Sequence, residues 1–168
     1  MYSIRSVKNI MDEILYFISL NKNLKHLFAI TESWLADDIQ DCVLSIPNYS
    51  IIRNDGKLRK GGGVCVWYNN SISFESFTPS SQQPTEIEVL FTALNIFKIV
   101  FCLVYIDNIN QCLISTYDEL LTAWPSYKVT FLGDFNRMNT DILEASCSVV
   151  PIITFGTRND VIIDQLFC

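Results

Sequence analysis

The chain has 168 residues, of which 49% are apolar and 12% aromatic, enough for one domain with a real core and too apolar for a disordered chain. Its formal charge of −6 argues against a broad basic face for nucleic acid. It does not exclude a nuclease, because a metal-dependent site is itself built from carboxylates.

Six cysteines (Cys42, Cys65, Cys102, Cys112, Cys147 and Cys168) form no CxxC pair and have no histidine at zinc-ligand spacing. Cys65 and Cys102 lie in apolar runs and read as small buried hydrophobes. A reduced intracellular setting, nuclear or cytoplasmic, is expected. Met1 to Leu20 mixes charges into its apolar residues, unlike a signal sequence. The longest apolar run, Ile96 to Ile106, contains Lys98 and is too short to cross a bilayer, so no membrane partner is expected.

In chain order, Ser6 is positioned to cap a helix to about Leu20, with Ile10, Ile14, Phe17 and Ile18 on one face. Leu27 to Thr31 reads as a strand ending at Glu32. "LADDIQDCVLS" reads as a short helix stopped by Pro47, and "YSIIRND" as a strand. The basic, glycine-rich "GKLRKGGG" then predicts an exposed turn before the strand "GVCVWYNN". "FTPSSQQPTE", with Pro79 and Pro84, is a loop. "EIEVLFTALN" and "FKIVFCLVYI" are strands joined tightly through Asn95 and Ile96. "STYDELLTAW" is a helix broken at Pro125, "KVTFLGD" a strand, and "VVPIITFGTRNDVIIDQLFC" a set of short extended segments around a Gly-Thr-Arg turn. Helices at the ends of hairpin-rich strand runs predict an α+β domain, or two packed sheets flanked by helices.

Two acids share one setting. Glu32 follows "LFAIT" and Asp134 follows "VTFLG", each closing an apolar strand. Carboxylates brought together on such strand ends repel unless a cation or proton lies between them, and Mg²⁺ often takes only one or two. Read singly, each is equally a solvated strand end. "GDFN" is also an ordinary turn sequence, yet Asp134 and Asn136, two residues apart, share a face of an extended chain. Tyr105 reads equally as a strand-end aromatic and Asp164 as a turn cap. Arg53, Lys57, Arg59 and Lys60 form either a solvated basic loop or a phosphate-steering one. Gly61 to Gly63 is not a P-loop, since the lysine precedes the glycines.

"ITESWL", "RNDGKLRKGGGVCVWY", "LVY", "FLGDFN" and "TRNDVIIDQLF" occur in an order and at intervals that resemble the endonuclease domains of non-LTR (LINE-type) retrotransposons. These belong to the endonuclease/exonuclease/phosphatase superfamily, which includes the apurinic/apyrimidinic endonucleases. The resemblance runs from about Ser3 to Cys168, as a single domain over 1–168. It implies a four-layer α/β sandwich of two mainly antiparallel sheets with helices outside. It implies Mg²⁺ or Mn²⁺ as cofactor, DNA as substrate, and a reverse transcriptase domain in the full-length polyprotein.

By the same resemblance Glu32 matches the acid that holds the metal, and Tyr105 a tyrosine that contacts the scissile phosphate. Asp134 matches the acid that orients or deprotonates the attacking water, Asn136 the amide beside it, and Asp164 an acid that orients a catalytic histidine. Ser3, Arg5, Arg53, Arg59 and Lys60 are the candidate phosphate or DNA contacts. Two positions depart from the pattern. Ser3 stands where the family has an asparagine, and the family's closing Ser-Asp-His motif is absent from these residues, whose single histidine is His26. The expectation is therefore a C-terminally truncated or degenerate domain with low activity. The alternatives are a phosphoinositide- or sphingomyelin-type phosphoesterase, or a catalytically dead remnant that binds DNA or protein.

Overall fold

The structure, a computed structural model, describes residues 7, 10–21, 27–56, 61–80, 87–106, 111–136, 139–153 and 164–168. Strands β1 (Leu27–Thr31), β2 (Tyr49–Asn54) and β3 (Val64–Asn69) make one antiparallel sheet in the order β1-β3-β2. Strands β4 (Phe74–Phe77), β5 (Ile87–Leu94), β6 (Ile99–Ile106), β7 (Lys128–Asp134) and β8 (Asp164–Phe167) make a second sheet in that order. Its pairs are antiparallel except β6 with β7, which run parallel. Helix α2 (Gln111–Ala123) makes that crossover, as a parallel pair requires. Helices α1 (Met11–Leu20) and α3 (Asp141–Cys147) complete the α+β fold.

The side chains sort by strand alternation into three cores. Val89, Phe91, Val100, Cys102, Val104, Val129 and Phe131 point from the large sheet toward Leu113 and Leu120 of α2 and Leu143 and Cys147 of α3. Ile30, Cys65 and Trp67 point from the small sheet toward Ile10 and Ile14 beside and on α1, with Leu44 and Ile46. Between the sheets, Val64, Val66, Leu103 and Tyr105 pack with Leu27, Ala29, Leu90 and Leu132. The layers are thus helix, sheet, sheet, helix. Strands β5 to β7 are apolar on both faces because both faces are covered. An apolar cavity of about 610 Å³ opens between α1, β1 and Leu132.

Several local expectations change. Helix α1 begins at Met11, after a turn closed by Ile10 N–H to Val7 O (3.0 Å); Ser6 lies outside the described residues. "LADDIQDCVLS" forms only a single 3-10 turn, Asp41–Leu44. The link between β5 and β6 is the four-residue turn Asn95 to Lys98, in which Lys98 adopts a left-handed φ of 50°. Helix α2 begins at Gln111 rather than at Ser115. Strand β4 and helix α3 were not expected at all. The former is a four-residue edge strand with both central residues exposed, and the latter has seven residues.

Candidate active site

The site is built from the ends of strands in both sheets. In the large sheet, register places Glu88 of β5 opposite Tyr105 of β6, Tyr105 opposite Asp134 of β7, and Asp134 opposite Asp164 of β8. Polar residues therefore occupy four neighbouring strands at one level. Leu90, Leu103 and Leu132 fill the next level on the face toward the small sheet, so Tyr105 and Asp134, two residues further on, share that face. From the small sheet, β1 ends at Thr31 and delivers Glu32 to the same place. The Tyr105 hydroxyl donates to Glu32 Oε1 at 3.0 Å. Tyr105 is thus the register partner of Asp134 and the hydrogen-bond partner of Glu32.

Each acid is held by unusual backbone. Glu32 has φ 54° and Trp34 φ 53°, a left-handed conformation that costs an ordinary side chain roughly 1–2 kcal/mol per residue. Two hydrogen bonds to the glycine loop hold them there: Ser33 N–H to Gly63 O (3.0 Å) and Trp34 N–H to Gly62 O (2.9 Å). Asp134 is fully buried. Its Oδ1 accepts the Asn136 N–H at 2.8 Å, an Asx-type turn in which Asn136 takes φ 52°. Phe135, between them, points the other way into the helix-side core and meets Phe167 edge-on at 5.3 Å. Gly133 is dictated by close approach, since a Cβ there would run into the Val104 carbonyl.

The remaining candidates divide. Asp164 opens β8 directly across from Asp134. Arg53 lies on the opposite face of β2 from Asn54, and its guanidinium pairs with Asp55 (3.1 Å) and Asp41 (3.3 Å). A cation already neutralised by two carboxylates offers little to a phosphate. Burial pushes the Asp55 carboxyl above its ordinary value, with Arg53 opposing the shift and Asp37 and Asp41 adding to it. Ser3, Arg5, Arg59 and Lys60, like His26, lie outside the described residues.

The sequence reading missed Glu88. It is 7% exposed, and its Oε2 accepts the Gly63 N–H at 2.6 Å. The signal was present in "EIEVLFTAL": Glu88 has the parity of Leu90, so a charge falls on the face between the sheets. The glycines were also misread as part of an exposed turn. Gly62 and Gly63 are buried, wrapped around that carboxylate.

The donor set suits a hard divalent cation. Glu32, Asp134 and Tyr105 offer oxygen only, and Mg²⁺ binds through one or two carboxylates with water and substrate phosphate completing its shell. Among the described residues no group of three His, Cys, Asp or Glu side chains is placed to hold a metal ion.

No family model and no curated protein sequence matches the chain. Solved structures do. The chain superposes on the endonuclease domain of TRAS1, a telomere-specific non-LTR retrotransposon, with TM-score 0.63 and 12% identity, over 99% of this chain and 82% of that one. It superposes on the 3′-5′ exonuclease NExo from Neisseria meningitidis with TM-score 0.65 and 11% identity, covering 98% and 84%. For humanized D. rerio TDP2 the values are 0.58 and 12%, covering 95% and 75%. The chain therefore has the fold of the endonuclease/exonuclease/phosphatase class. A retrotransposon endonuclease domain is among the structures it resembles.

Proposed function

We propose that this chain is a divalent-metal-dependent phosphodiesterase domain that nicks DNA, of the kind carried by non-LTR retrotransposons. The observation that carries the reading is the Tyr105 hydroxyl bridging to Glu32 beside the buried Asp134, at the facing ends of two sheets. A fully buried carboxylate such as Asp134 is costly unless a cation or a reaction uses it, and the half-buried Glu32 lies beside it.

In this reading Glu32 would hold Mg²⁺ or Mn²⁺ beside Asp134, and the metal would supply Lewis acidity and charge neutralisation at the phosphate. Asp134 orients a water molecule and accepts its proton as the water oxygen bonds to phosphorus and the phosphorus–O3′ bond breaks. The Tyr105 hydroxyl donates to Glu32 in the resting site and is placed to donate to a phosphate oxygen. Asn136, fixed by its backbone bond to Asp134, presents a neutral amide that donates without repelling phosphate. The leaving oxygen must regain a proton. A general acid contributes roughly 10²–10⁴-fold, and these 168 residues carry no Ser-Asp-His motif to supply one. Turnover by this chain is therefore expected to be slow by about that factor. In a longer polyprotein the domain would act beside a reverse transcriptase, inside the cell.

The substrate class is tested with a panel of supercoiled plasmid, a phosphoinositide and sphingomyelin, each with Mg²⁺ and with EDTA. Metal-dependent conversion of plasmid alone supports the proposal. Metal-dependent release from either lipid overturns the DNA assignment, and DNA binding without turnover of any substrate favours a non-catalytic remnant.

A further inference from the structure

We infer that Glu88 is a positioning residue for Glu32, acting through the Gly61–Gly63 loop; this rests on the hydrolytic reading of Glu32 above. The links are consecutive. The Glu88 carboxylate accepts the Gly63 N–H at 2.6 Å. It also fills the space over Gly62, where an added Cβ would stand 2.5 and 2.7 Å from its two oxygens. Gly56 closes the seat from another side, since a Cβ there would lie 2.9 Å from Glu88 Oε1. The carbonyls of Gly62 and Gly63 then accept the amides of Trp34 and Ser33. Those two bonds hold Glu32 and Trp34 in left-handed backbone that neither residue favours.

A second route leads to the same acid. Glu88 stands opposite Tyr105 in the β5–β6 register, and Tyr105 donates to Glu32. Glu88 thus braces the backbone that carries Glu32 and stands across from the tyrosine that bonds its side chain. A buried carboxylate between two sheets adds little stability compared with a well-packed hydrophobe. Fixing a strained loop from which a catalytic acid projects gives it a use.

The test follows amide exchange by NMR and Mn²⁺ binding by electron paramagnetic resonance in the full chain. In Glu88→Ala, exchange at Ser33 and Trp34 is expected to rise about tenfold or more as the brace is lost. The Cys102 and Leu103 amides of β6 should remain protected. Mn²⁺ affinity should fall roughly 10–100-fold, as for other residues that orient a metal ligand. Glu88→Gln keeps an acceptor for Gly63 N–H and should restore both. Glu88→Asp, which keeps the carboxylate but draws it back from the Gly63 N–H, should reproduce the Glu88→Ala pattern.

Unchanged exchange at Ser33 and Trp34 in Glu88→Ala overturns the inference, and so does its failure to be restored by Glu88→Gln. If Glu88→Ala does not fold, Glu88→Asp decides: faster exchange confined to Ser33 and Trp34 supports the brace, and unchanged exchange overturns it. Unaltered Mn²⁺ affinity in Glu32→Gln would instead contradict the hydrolytic reading, while the exchange result still decides the brace.

Discussion

Replacing Gly133 by alanine perturbs the junction on which the site depends. Gly133 pairs with Val104 across the parallel β6–β7 ladder, one residue before Tyr105 meets Asp134. A Cβ at 133 meets the Val104 backbone, not the flexible end of a side chain, so the strands must part or shear. Forcing extra volume into a packed core costs about 1–3 kcal/mol. Losing one or two ladder hydrogen bonds adds about 1 kcal/mol each. The total, about 2–5 kcal/mol, lowers the melting temperature of a domain this size by roughly 4–20 °C. Differential scanning calorimetry of Gly133→Ala measures it. Melting within about 2 °C of the parent would refute the close-approach argument, because alanine would then have been accommodated at the junction.

Tyr105→Phe removes the hydroxyl bond to Glu32, worth about 1.5–3 kcal/mol if the acceptor is charged; the melting temperature should fall by roughly 3–12 °C, and Mn²⁺ affinity roughly 10–100-fold. Trp67→Phe strips Leu44 O of the 3.0 Å bond from the indole Nε1 and opens space at a fully buried position. It should cost about 2–4 kcal/mol, read from the urea midpoint.

Burial raises the thiol pKa of Cys65, Cys102 and Cys147, the last from 9.0 to about 11. The folded state therefore holds these protons more tightly than the unfolded chain. Their contribution to stability is fully present below about pH 9 and is lost as pH rises through the folded values. Urea midpoints between pH 8 and pH 11 should fall with pH, and the slope should flatten in Cys147→Ala.

Much of this arrangement was legible in the sequence. Alternation placed Val129 and Phe131 on one face and Asp134 on the other. Glu32 closed its strand where "LFAIT" ends. Phe135 anchors the Asp134–Asn136 turn from the opposite core, as the spacing of "GDFN" indicates. What stayed hidden was set by tertiary contact. Composition made the glycines a solvent turn, whereas their use is to admit the Glu88 carboxylate where side chains would collide. Arg53 looked free to steer DNA because the distance in sequence to Asp41 concealed their ion pair. Helix α3 has only Leu143 and Cys147 buried, too short a stripe for periodicity to register.

The most direct test of the hydrolytic centre is the initial rate of supercoiled-plasmid nicking in Mg²⁺, for the chain as given and for Asp134→Ala at equal folded concentration. Slow nicking that EDTA stops and that Asp134→Ala abolishes is the expected result. Nicking at the same rate in both, or none by the parent chain even with a Ser-Asp-His segment appended, would contradict the assignment of Asp134 and Glu32 to a DNA-cleaving site.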